Sequence, residues 1–124
     1  SDFITIHIPK TPETTGMIGA KQFKLAKPNL RIVNCSRGGI IDEAALFDAL
    51  STNKIAGAGL DVFVQEPPKD KRFTDLANVV LAPHVAGITQ ESQAAINQVL
   101  VAEIRAALTG GVQRYAVGAI KQAK

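Results

Sequence analysis

The chain has 124 residues, 46% hydrophobic, 20% charged and 5% aromatic with no Trp, which allows one ordinary aliphatic core and excludes the disordered class. Fourteen Lys and Arg against eleven Asp and Glu leave a formal net charge of +3, too small and too scattered to mark a nucleic-acid or membrane-surface protein. The lone Cys35 excludes an internal disulfide, no apolar run nears the roughly 18 residues of a membrane span, and no signal-peptide pattern opens the chain, so the expected location is the cytoplasm.

The first element is a strand over residues 3–8, starting so near the first residue, and without a Met, that the sequence reads as a fragment of something longer. A short helix over residues 19–27 stops at Pro28, whose ring and missing N–H cannot continue it. A second strand over residues 30–34 leads to Asp42, a good N-cap for a helix whose apolar face is Ala45, Leu46, Ala49 and Leu50. Strands over residues 55–62 and 79–82 follow. Their near-continuous apolar character predicts a parallel sheet covered on both faces. Thr89 caps a long helix with Glu91 in its positive first turn, and Ile96, Val99, Leu100, Ile104, Ala107 and Leu108 make a stripe expected to be core. Gly110-Gly111 ends that helix, and residues 112–124 are expected to form an arm that packs elsewhere or frays. The alternation predicts an α/β fold, a doubly wound parallel sheet with right-handed crossovers.

In such a sheet ligands bind beyond the carboxyl ends of the strands, so the segments that follow each strand carry the functional information. They are His7-Ile8-Pro9, Cys35-Ser36-Arg37-Gly38-Gly39, residues 61–67, and Pro83-His84-Val85-Ala86-Gly87. Arg37 offers a planar fork suited to a carboxylate, and its two glycines let backbone approach a ligand; as an isolated signal it reads more readily as a solvated surface charge. Asp61 is an acceptor for a ligand amide or a turn-capping carboxylate. His84 is the natural proton-exchanging group near neutral pH, and Glu66 is a carboxylate able to orient it and to stabilise the imidazolium; by itself His84 is also an ordinary loop residue. Together Arg37, Glu66 and His84 read as an anion holder, an orienter and a base. His7 ends a strand and satisfies backbone groups as readily as it touches a ligand. Cys35 reads as a small core residue, since no dedicated base accompanies it. Two His and one Cys at unrelated spacings predict no metal site.

Four ordered strings then resemble the NAD-binding domain of the D-isomer-specific 2-hydroxyacid dehydrogenases: His7-Ile8-Pro9 with Thr11-Pro12-Glu13-Thr14, the run Arg31-Ile32-Val33-Asn34-Cys35-Ser36-Arg37-Gly38-Gly39-Ile40-Ile41-Asp42-Glu43, Leu60-Asp61-Val62-Phe63 with Glu66-Pro67-Pro68, and Pro83-His84. Within the family the likeness is nearest to the branch that acts on D-3-phosphoglycerate, although Ala86-Gly87-Ile88-Thr89 departs from that branch's usual Gly-Ala-Ser-Thr. The resemblance implies the second half of a Rossmann-like dinucleotide-binding domain over residues 1–111, with residues 112–124 returning toward a substrate domain. It implies that Arg37 binds the substrate carboxylate, that His84 exchanges the C2 hydroxyl proton, and that Glu66 hydrogen-bonds His84. It implies NAD as cofactor, with Asp61 and the backbone of Cys35 and Ser36 at the nicotinamide carboxamide, Ala86 and Gly87 against the ring, Ile8 near the ribose, and Arg37 and His84 also bordering the cofactor. The family's Gly-x-Gly-x-x-Gly turn and ribose-binding acid are not in this sequence, and the resemblance places them upstream of Ser1. The expected partners are a small 2-hydroxy or 2-keto acid and a second chain, either another copy or the missing first half pairing with an exposed strand edge. Alone, the piece is expected not to turn over substrate. A non-catalytic dinucleotide-sensing module of the same fold is the alternative reading.

Overall fold

The computed structural model describes residues 1–69 and 71–116. Four strands, β1 (Phe3–Ile6), β2 (Arg31–Asn34), β3 (Gly57–Leu60) and β4 (Val79–Leu81), form one parallel sheet in sequential order, with helices α1 (Ala20–Leu25) and α2 (Glu43–Ser51) in the first two crossovers. Among its described residues the third crossover holds a single 3-10 turn, Arg72–Asp75. This is the α/β, Rossmann-like parallel sheet that the sequence implies. The helix N-cap is as expected at Asp42, whose Oδ1 accepts from the amides of Ala44 and Ala45, each at 3.0 Å.

The registers Ile4–Ile32–Ala58–Val79 and Ile6–Asn34–Leu60–Leu81 put two rows on one sheet face. Most of these residues are buried, and with Leu46, Ala49, Leu50 and Ile55 they make the core. The row between them, Thr5–Val33–Gly59–Val80, lies on the opposite face, where Val80 is 73% exposed. On this second face Val33 is also exposed among the described residues. Strands in sequential order send crossovers of one hand to one side, so α1 and α2 lie against each other over the same face.

The chain divides into two compact units, the first ending at Ala86 and the second beginning at Gly87. Within the second, Thr89 Oγ1 accepts from the Ser92 amide at 3.1 Å and caps α3 (Gln90–Leu108). None of the residues of α3 is buried; the apolar stripe expected to be core, Leu108 most of all, is exposed. Among its described residues this unit supplies no second helix or strand to cover that face. Of the expected C-terminal arm, residues 112–116 are irregular, with the amides of Arg114 and Tyr115 donating to Glu103, and residues 117–124 lie outside the described residues. No helix among the described residues is long and apolar enough to cross a membrane.

Candidate active site

Because all four strands are parallel, the segments after them emerge at one edge of the sheet. The loop after β2 is built by Asn34, a polar residue only 2% exposed. Its Oδ1 accepts from the Ser36 amide (3.1 Å) and hydroxyl (2.9 Å), while its Nδ2 donates to the Arg37 carbonyl (3.0 Å). Asn34 was not singled out in the sequence, although an Asn two residues before a glycine-rich turn is an Asx-turn signal. Its grip occupies the Ser36 amide, so that donor is not free for a ligand. Arg37 is exposed, with Nη1 donating to the Ser36 carbonyl at 2.7 Å.

Gly38 is required by a contact within the protein. A β-carbon there would stand 1.9 Å from the Phe63 carbonyl oxygen and 2.5 Å from the Val64 nitrogen, so the loops after β2 and β3 touch backbone to backbone. The Val64 amide donates in turn to Glu43 Oε1 at 2.6 Å, tying the third loop to the start of α2.

Glu66 and His84, eighteen residues apart, meet: Glu66 Oε2 lies 2.7 Å from His84 Nδ1. Glu66 Oε1 accepts from the Phe63 amide at 2.9 Å, so both carboxylate oxygens are held. The bond to His84, and after it the Phe63 amide, keeps the Glu66 carboxyl below its ordinary value. An ionised carboxylate only accepts, so Nδ1 carries the ring hydrogen and Nε2 is left as the atom that exchanges protons. The pair borders an apolar cleft of about 420 Å³, lined also by Phe63, Pro67, Pro68 and Pro83.

His84 has a φ of 57°, a left-handed backbone that costs a non-glycine residue about 1 kcal/mol or more. What holds it there is Asp61, only 4% exposed, whose Oδ1 accepts from the Val85 amide (2.8 Å) and Oδ2 from the Ala86 amide (3.0 Å). Asp61 thus fills the turn-capping alternative, and each oxygen keeps a lone pair directed elsewhere.

Ile8 and Cys35 are half-buried, and they line a second cleft of about 510 Å³ with His7, Lys10, Ser36 and Arg37. His7 Nε2 pairs with Thr5 Oγ1 at 2.7 Å. Gly87 belongs to the second unit, where its carbonyl accepts from the Ser92 hydroxyl at 2.7 Å. The structure therefore brings Asp61, Glu66, His84 and Ala86 together, places Arg37 on the loop that touches Phe63, and sets Ile8, Cys35 and Ser36 around the neighbouring cleft.

Residues 1–86 match the model of the D-isomer specific 2-hydroxyacid dehydrogenase, NAD binding domain, and the chain belongs to that family. Among curated proteins it is 50% identical over 117 residues to the D-3-phosphoglycerate dehydrogenase of Synechocystis sp., covering 94% of this chain and 21% of that protein. It is 48% identical over 110 residues to the D-3-phosphoglycerate dehydrogenase of Methanocaldococcus jannaschii, covering 89% and 21%. The NAD-complexed D-isomer specific 2-hydroxyacid dehydrogenase of Lactobacillus delbrueckii ssp. bulgaricus superposes with a TM-score of 0.87 at 34% identity, over 94% of this chain and 40% of that one. The chain thus spans about a fifth of the length of these curated relatives.

Proposed function

We propose that this chain supplies the proton-transfer and substrate-carboxylate side of an NAD-dependent D-2-hydroxyacid dehydrogenase acting on a small acid such as 3-phosphoglycerate. The observation that carries the reading is the 2.7 Å contact between Glu66 and His84 at the carboxyl edge of the sheet. A module that only senses dinucleotide has no use for an acid-oriented imidazole, and for this reason we favour the enzyme.

The residues suit NAD on the nicotinamide side: Asp61 has lone pairs to spare for a carboxamide, and Ile8 presents an apolar wall to the cleft beside Cys35 and Ser36. NAD, when bound, supplies the acceptor for the hydride that leaves C2. The Arg37 fork holds the substrate carboxylate and fixes its distance and angle. His84 Nε2 takes the C2 hydroxyl proton in oxidation and returns it in reduction, and the fixed Glu66 charge stabilises the imidazolium as it forms. Asp61 keeps the loop carrying His84 in its left-handed turn.

The test uses the protein carrying this chain. His84→Asn should lower hydride transfer about 10²-fold to 10⁴-fold, followed by nicotinamide absorbance, while NADH affinity from nicotinamide fluorescence stays within about twofold. Unchanged turnover in that variant would remove His84 from the reaction and with it the reading.

A further inference from the structure

The turn after β1 carries a cation that neither the core nor the Glu66–His84 pair uses. Lys10 sits between two pinned residues: Thr14 Oγ1 donates to the Pro9 carbonyl at 2.9 Å and accepts from the Thr11 amide at 2.7 Å. Its side chain lies across the neighbouring loop, since a β-carbon built on Gly39 would stand 2.9 Å from Lys10 Nζ and 3.3 Å from Cε. Gly39 has a φ of 85° and lies two residues beyond Arg37. Lys10, Arg37 and His7 line the one cleft of about 510 Å³, and no carboxylate is among its lining residues.

Among the described residues, Lys10 makes no ion pair and no side-chain hydrogen bond, and Arg37 reaches only the backbone of its own loop. Two permanent cations facing one cleft repel each other unless an anion enters. The Arg37 fork suffices for one carboxylate, whereas the Lys10 ammonium is a point charge on a flexible stem, suited to a phosphate oxygen.

We propose that Lys10 is a specificity-determining residue that holds a phosphate group in this cleft. The proposal rests on the dehydrogenase reading and narrows its ligands to those carrying a phosphate beyond the acid carboxylate. A phosphorylated 2-hydroxy acid and the diphosphate of a dinucleotide offer the same chemistry.

The experiment measures acylation of Lys10 by mass spectrometry, with Lys24 on α1 as internal reference, and the affinity of Lys10→Met for 3-phosphoglycerate, D-glycerate and ADP-ribose. If the phosphate belongs to the substrate, 3-phosphoglycerate shields Lys10 severalfold, D-glycerate does not, and Lys10→Met weakens 3-phosphoglycerate about tenfold with D-glycerate unchanged. Shielding and loss of affinity confined to ADP-ribose assign the phosphate to the dinucleotide. Lys10→Arg, which keeps the charge, should bind as the parent does. Equal shielding by D-glycerate, or affinities that Lys10→Met leaves alone or lowers uniformly, overturns the phosphate role and leaves the dehydrogenase reading standing. Failure of the parent protein to bind all three ligands and NADH overturns both.

Discussion

The α-carbon of Gly38 faces the backbone of Phe63 so closely that a single added methyl would sit 1.9 Å from the Phe63 carbonyl oxygen. This contact joins the loop bearing Arg37 to the loop bearing Glu66, and through Glu66 to His84. Backbone cannot give way as a flexible side chain does, so the two loops keep their spacing only while residue 38 has no side chain.

Gly38→Ala should therefore destabilise the protein by about 2 kcal/mol or more, the range for overpacking against rigid atoms. Urea denaturation measures it. A loss below about 0.5 kcal/mol would mean that the loops part freely.

Asp61→Asn exchanges one acceptor oxygen for an amide group that donates, leaving one of the part-buried amide bonds to Val85 and Ala86 without its acceptor. The expected cost is about 1 to 3 kcal/mol. Faster hydrogen exchange at Val85 and Ala86 should accompany it, because the turn that keeps His84 at positive φ is released. Exchange rates unchanged at both amides would show that something other than Asp61 holds the turn.

Glu66 sets a pH dependence whose sign follows from its lowered pKa. A carboxyl depressed in the folded state contributes stability that is fully present above its unfolded value of 4.5 and is lost as pH falls through the lower folded value. Glu66 is about one-third exposed, so solvent screening keeps the effect modest. Thermal unfolding of parent and Glu66→Gln from about pH 7 to about pH 3 should show a gap in Tm that is widest above pH 4.5 and closes toward acid. A constant gap would place the effect in packing.

The outer edge of β1 presents unpaired backbone groups, and Phe3 beside it is 70% exposed with the Arg31 guanidinium 6.0 Å from its ring centroid. We expect the 124-residue chain to associate in solution through this edge and Phe3→Lys to shift it toward monomer, as charged edge residues do. Analytical ultracentrifugation decides it: a parent chain already monomeric at high concentration would rule the edge out.

Much of the architecture was legible along the chain because its causes are local. Asp42 and Thr89 are caps whose partners lie two or three residues away, and Leu46, Ala49 and Leu50 share a face by helical spacing alone, whereas the helix expected to run up to Pro28 ends earlier, at Leu25. Less of the sheet could be read, since a run such as Val79–Leu81 is apolar whether or not its second face is covered. The number of helices on each side follows from strand order, which no single segment encodes.

The residue types at the candidate site, an arginine, a glutamate and a histidine at three strand ends, were determined by the sequence, as was the common edge once the strands were read as parallel. The family resemblance already implied that Glu66 meets His84; only the tertiary structure decided that the atoms are Oε2 and Nδ1, and that Asp61 meets the amides after His84, Gly38 meets Phe63 and Lys10 lies over Gly39. A hydrogen bond depends on a few tenths of an ångström between atoms, while sequence spacing constrains distant loops only to the same end of a sheet.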